Sequence, residues 1–203
     1  MKILNLYAGI GGNRKLWEDQ EVTAVEYDYD ILNAYRKFFP NDSIICGDAH
    51  QYLLEHYQEF DFIWSSPPCQ SHSSFRHNIC VRFHGTEPVY PDMKLYQEIL
   101  FLQHNDKKKN GDKIKWVVEN VKPYYEPLIK PTAVIQRHYF WSNFDLSDIT
   151  TEFQKDKIRS SQIPDLQKIH GFDLTGIKLK NKRQVLRNCV LPEIGLQIFN
   201  RVT

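Results

Sequence analysis

A three-residue apolar run, Phe62-Ile63-Trp64, stops at Ser65-Ser66 and meets Pro67-Pro68. The run has the composition of a buried strand, and two prolines forbid both helix and ladder pairing directly after it. A chain that leaves a strand this abruptly presents the next side chain, Cys69, at the rim of the sheet. In open α/β sheets that rim is where ligands sit. The same prolines stiffen the backbone around the thiol, as a nucleophile requires.

The rest of the chain supplies the sheet. Residues 2 to 7 read as a central strand, followed by Ala8-Gly9-Ile10-Gly11-Gly12-Asn13 and an expected helix carrying Leu16 and Trp17. A glycine-rich turn between strand and helix lets backbone N–H groups approach a ligand closely. Val22 to Glu26 is a second strand ending in an acid, roughly fifteen residues past the glycines, near the spacing at which an acid meets ribose hydroxyls. A helix over about 30–39 follows, with Pro40 as its stop, then a third strand at Ile44-Ile45-Cys46 broken by Gly47-Asp48. Asp48 is placed to cap the helix of 52–57 or to meet a base amino group.

Residues 70–91 form a long polar stretch without periodicity, read as a lid over Cys69. A helix over about 92–104 is expected to bury Met93, Tyr96, Ile99 and Leu100 on one face. A fifth strand, 114–119, ends in Glu119-Asn120-Val121, and Val134 to Trp141 with Phe144 look like a late hairpin. From 145 to 182 the patterning is poor, and 191–199 reads as a closing helix. Strands alternating with helices predict an α/β fold with a doubly wound, mostly parallel sheet.

Cys69 has two other readings. A buried cysteine packing as a small hydrophobe fits poorly beside two prolines, Gln70 and Ser71. Cys69, His72, His77 and Cys80 are also spaced as a short tetrahedral zinc site, but nothing else in the chain supports a metal, and none is expected. The four cysteines show no disulfide framework and point to a reducing cytosol. No run is long and apolar enough for a membrane span, and no signal peptide precedes the first strand. The net charge of +1 does not announce a nucleic-acid binder. The basic cluster Lys178, Lys180, Lys182, Arg183 and Arg187 is the expected holder of phosphates, whereas Lys107 to Lys109 reads as a solvated face.

With these pieces in order, the chain resembles the S-adenosylmethionine-dependent C5-cytosine methyltransferases. Asn5-Leu6-Tyr7-Ala8-Gly9-Ile10-Gly11-Gly12 is similar to the family's first motif, Glu26 to its ribose acid and Asp48 to its adenine acid. Pro68-Cys69-Gln70 is similar to the nucleophile motif, Glu119-Asn120-Val121 to the base-holding motif, and Asn188 with Val190 to the final motif. The resemblance implies a Rossmann-like class I methyltransferase with S-adenosyl-L-methionine held by Tyr7, Ala8, Gly9, Gly11, Gly12, Glu26, Tyr27, Asp48, Ala49, Pro67, Asn188 and Cys189. It implies Cys69 as nucleophile, with a lowered thiol pKa, and Glu119 as the acid on the base. Three departures stand out. Of the family's Gln-x-Arg-x-Arg motif only Arg137 remains, and in the register of Tyr139-Phe140-Trp141 His138 takes the place of the key arginine; either is expected to contact the base carbonyl. Arg187 stands where the final motif has glycine. The target-recognition region is cut to about 143–183, between a core of 1–142 and a returning segment of 184–203.

The implied substrate is a cytosine flipped out of DNA. The tRNA-methylating branch shares the Ser-Pro-Pro-Cys-Gln spelling, so RNA stays open, as does a non-catalytic cofactor-binding subunit that needs a partner. An amino-methylating enzyme would need Asp or Asn before the prolines and an aromatic after them, which Ser66 and Cys69 do not supply. The expected setting is the cytoplasm of a bacterium or phage-infected cell, by analogy with small stand-alone methyltransferases. Oligomeric state is not legible.

Overall fold

The structure, a computed structural model, describes residues 1–151 and 161–203. Part of the expected recognition region, 152–160, therefore lies outside the described residues. Seven strands form one sheet: β1 (Lys2–Leu6), β2 (Glu21–Glu26), β3 (Ser43–Cys46), β4 (Phe62–Ser65), β5 (Lys115–Val121), β6 (Ala133–Ile135) and β7 (His138–Ser142). Their order is β3-β2-β1-β4-β5-β7-β6. The first five are parallel, and β7 runs antiparallel to both β5 and β6, giving the late hairpin. The chain winds outward from β1 and then returns to β4. The carboxyl ends of β1 and β4 therefore flank the switch point, where an open α/β sheet leaves its crevice.

The central strands read as unbroken apolar runs because both faces are covered. On one face Ile3, Trp17, Phe62, Trp64, Phe140, Phe172 and Ile198 share a core. On the other, Leu4, Leu6, Leu53, Ile63, Ile99 and Trp116 do so. The helices of seven or more residues are α1 (Tyr29–Phe38), α2 (Ala49–His56), α3 (Lys94–His104), α4 (Ile163–His170), α5 (Lys182–Asn188) and α6 (Pro192–Phe199), and a shorter helical stretch, Arg76–Val81 running into Arg82–His84, lies within the segment read as aperiodic. Asp28 caps α1 by accepting from the N–H groups of Asp30 and Ile31, and a left-handed Gly171 closes α4.

Two expectations are corrected. The segment carrying Leu16 and Trp17 is a series of turns rather than a helix. Its backbone is fixed by side chains: Arg14 pairs with Asp42 at 3.0 Å, and Trp17 donates from Nε1 to the carbonyl of Gly195 at 3.1 Å. On α3, Leu95, Tyr96, Ile99 and Leu102 face the core, while Met93 and Leu100 face outward, because the helical period sets those two well round the axis from the Leu95–Ile99–Leu102 stripe. The weakly patterned 145–182 stretch contains α4. Only Leu166 and His170 of its eight residues are buried, too few to show a period.

Candidate active site

The rims of three adjacent strands carry the site. Leu6 pairs with Ser65 and Ser65 with Val118, so the exits of β1 and β4 lie level with the middle of β5. The turn 65–69 leaves β4 and is clamped from the neighbouring strand. Buried Asn120 on β5 donates from Nδ2 to the carbonyl of Pro67 at 2.9 Å. Asn120 is a missed member of the site: the motif containing it was recognised, but the bond that fixes the Cys69 turn is a tertiary contact. The segment read as a lid begins in register with the loop after β5. Tyr124 donates from its N–H to the carbonyl of His72, and Ser74 from its N–H to that of Lys122.

Glu119, buried on β5, is hydrogen-bonded to Nδ1 of buried His138 on β7. The two lie diagonally on one face of an antiparallel pair, since Glu119 is opposite Phe140. His138 is thus committed to Glu119. Arg137 is bonded through its guanidinium to the carbonyl of Arg187, and its charge acts on both Cys69 and Glu119. Of the two residues expected at the base, Arg137 is the one whose charge reaches the thiol.

The expected lowering of the Cys69 pKa is not found. Burial pushes the thiol up to about 11 and the Glu119 carboxylate adds to the rise, with Arg137 opposing them. The physical reason is that the thiol sits in a protein-lined site beside an acid rather than at a helix N-terminus or beside a dominant cation. The histidines of the alternative zinc reading are spent elsewhere. His72 bonds through Nδ1 to the Tyr125 hydroxyl at 2.6 Å, and His77 stacks on Tyr124 with ring centroids 4.0 Å apart. Among the described residues no cluster of His, Cys, Asp or Glu could hold a metal ion.

Among the residues expected to hold the cofactor, Glu26 accepts from the N–H of Gly9 at 3.0 Å through one oxygen. Its other oxygen accepts from the N–H groups of Tyr27 and Asp28. The acid therefore shapes the glycine turn in this structure. Asp48 caps α2 through the N–H of His50 at 2.9 Å and pairs with Lys94 Nζ at 3.2 Å. The space over Gly9, where φ is +56°, is open, and Tyr27 is 81% exposed beside it. Gly12 is closed off by Cys189: a side chain on Gly12 would meet its Cβ at 2.6 Å. Cys189 is buried, its thiol pushed up to about 12 by burial. Exposed Asn188 accepts from Gln184 Nε2. Cys189, at the end of α5, thus bounds the turn, whereas Asn188 is bonded within the helix.

Sequence reasoning also missed Glu98. This buried acid on α3 accepts from Tyr7 Oη, His50 Nδ1 and Ser65 Oγ. A single acid within an apolar helical pattern gives no signal of such a role. The basic cluster needs correction too. Lys182 donates to the carbonyl of Leu174 at 2.8 Å and Arg183 to that of Ser161 at 3.3 Å. Lys178 and Lys180 are its exposed members. Arg137 Nε and both ring nitrogens of buried His170 have no hydrogen-bond partner among the described residues.

The fold is that of a methyltransferase: the structure of the Entamoeba histolytica methyltransferase EhMeth superposes with a TM-score of 0.57 at 10% identity, over 100% of this chain and 97% of that one. Residues 1–81 match the family model described as C-5 cytosine-specific DNA methylase, which bears out the resemblance over that stretch. C-5 cytosine methyltransferases use S-adenosylmethionine as methyl donor. Weaker structural likenesses are to a Spodoptera frugiperda DNMT2 mutant (TM-score 0.45, 20% identity, 76% of this chain and 55% of that one) and to a putative DNA modification methyltransferase from a prophage in E. coli (0.45, 16%, 82% and 54%). The chain thus spans about half the length of those two. No curated protein matches in sequence. Among the described residues no helix is long and apolar enough to cross a membrane.

Proposed function

We propose that the protein transfers a methyl group from S-adenosylmethionine to carbon 5 of cytosine in DNA, with Cys69 as the covalent nucleophile. The observation that carries this reading is the turn Ser66 to Cys69, held by Asn120 beside Glu119 and Arg137 at the switch point of the sheet. The cofactor fits the residues present. The open space over Gly9 is a cradle, Glu26 and Asp48 offer carboxylates at its edge, and Tyr27 offers an exposed ring. When bound, the cofactor supplies an electrophilic methyl group.

Carbon 5 of cytosine is too weak a nucleophile to take that methyl unaided. Sulfur of Cys69 adds to C6, breaking the C5–C6 double bond and making C5 electron-rich. The thiol must lose a proton and N3 must gain one. Glu119 is placed to carry it, so the addition creates no net charge in a buried site. Arg137 stabilises sulfur as it sheds its proton, and His138 orients Glu119. After transfer, loss of the C5 hydrogen as a proton to solvent expels the Cys69 thiolate, and N3 returns its proton through Glu119 to the sulfur, which restores the neutral ring and the thiol. The target base reaches the thiol only when flipped out of the duplex.

The test is an oligonucleotide carrying 5-fluorocytosine, whose fluorine blocks the last step and traps the adduct. With cofactor present, mass spectrometry is expected to find the adduct on Cys69 and none in Cys69→Ser. An adduct on another cysteine, or none, refutes the mechanism. The same assay on RNA decides the substrate class.

A further inference from the structure

We propose that Glu98 is a positioning residue that locks the cofactor-side segments to the nucleophile turn, so that an occupied cofactor site and a correctly placed Cys69 depend on one buried carboxylate. The inference rests on the functional reading above and names a residue outside the motifs that support it.

Glu98 is 1% exposed. Oε1 accepts from Tyr7 Oη at 2.6 Å and faces His50 Nδ1 at 2.9 Å, while Oε2 accepts from Ser65 Oγ at 2.5 Å. A carboxylate only accepts, so Nδ1 of His50 is the protonated nitrogen in this arrangement. The three donors come from three segments. Tyr7 follows β1 and opens the glycine turn, with a left-handed φ of 54° that is uncommon for a non-glycine residue. His50 lies in the first turn of α2, directly after Asp48 and Ala49. Ser65 ends β4, four residues before Cys69.

A buried acid is costly to desolvate, and an apolar residue would fill the same volume more cheaply. What an apolar residue cannot do is hold three donors from three rim segments at one point. The geometry couples Tyr7–Gly12, Asp48–Ala49 and Ser66–Cys69, the segments that meet cofactor and nucleophile.

The arrangement also predicts a pH signature. His50 is raised above its ordinary value, first by its hydrogen bond to Glu98, with burial and Lys94 opposing and Asp48 supporting. Tyr7 stays a donor, because burial and Glu98 raise its phenol far above the ordinary range, with smaller contributions from Asp48 and Asp92. The His50–Glu98 attraction is therefore fully present below about pH 6.5, the ordinary histidine value, and weakens as pH rises through the raised one.

Cofactor binding is measured by calorimetry from pH 6 to 8.5 for the wild-type chain, Glu98→Gln and Tyr7→Phe, alongside the rate of Cys69 alkylation with and without cofactor. Glu98→Gln is expected to weaken cofactor binding about tenfold. It should also remove the weakening with rising pH and abolish the effect of bound cofactor on Cys69 alkylation. Tyr7→Phe, which deletes one bond without threatening the fold, is expected to reduce the same coupling and leave the pH dependence in place. A role in stability alone would lower the melting temperature and leave both the pH dependence and the coupling unmoved, which overturns the inference. Failure of the wild-type chain to bind cofactor overturns the functional reading as well.

Discussion

Glu119 and His138 hydrogen-bond inside the protein across paired strands, and the same carboxylate raises the thiol of Cys69. Replacing Glu119 with Gln removes one of the two causes of that rise. Alkylation of Cys69 by iodoacetamide at pH 8 is therefore expected to speed up several-fold, while methyl transfer is lost. Arg137→Gln is expected to act oppositely on alkylation, since it removes the charge that favours thiolate. Rates followed by mass spectrometry against pH check both signs. No change in either variant would mean the three groups do not communicate.

Cys80 and His77 lie on the lid, and His77 is stacked on Tyr124. Cys80→Ser is expected to keep methyl transfer within a few-fold of wild type, and a chelator is expected to change nothing. Loss equal to that of Cys69→Ser would restore the zinc reading.

Buried His170 has its pKa lowered to about 4, first by burial and then by the charges of Arg137 and His138. Its neutral form is favoured in the folded state. The stability it contributes is present above about pH 6.5 and is lost as pH falls toward 4, on the order of 3 kcal/mol across that window. His170→Phe, matched in shape and unable to titrate, is expected to flatten this acid limb in urea unfolding between pH 7 and 4. An unchanged pH slope would place the titration elsewhere.

Lys182 and Arg183 are occupied by backbone carbonyls, so the basic cluster offers fewer phosphate contacts than its composition suggests. Substituting Lys178 and Lys180 together is expected to reduce the salt slope of DNA binding by about two, at roughly 0.9 per neutralised phosphate. Lys182→Ala is expected to lower the melting temperature and leave the slope unchanged. A slope lowered by Lys182→Ala would return that residue to the surface role.

The succession of strands and helices was legible because the apolar runs are short, bounded and separated by helical patterns. The turn that carries Cys69 was legible because two prolines leave a strand few exits. The segment after Asn13 was misread as a helix since Leu16 and Trp17 suit one, whereas the backbone there follows Arg14–Asp42 and Trp17–Gly195, contacts set by residues far along the chain. The thiol pKa was misjudged for a related reason. A motif names the groups near a cysteine, but the balance between burial, Glu119 and Arg137 depends on depth, which a sequence does not record. Glu98 left no trace at all, because its three partners are brought together only by the sheet.

The bond from Trp17 to Gly195 spans 178 residues of sequence, and a side chain on Gly195 would fall 2.2 Å from the carbonyl oxygen of Asn13. The glycine turn near the start of the chain is therefore finished by a helix near its end. On a ribosome adding about 5–20 residues per second, that turn waits roughly 10–35 seconds for its closing partner. A nascent chain released before α6 has emerged would carry the nucleophile turn and the sheet that holds it, yet lack the wall behind the cofactor turn. The turn is then completed only once α6 has been synthesised.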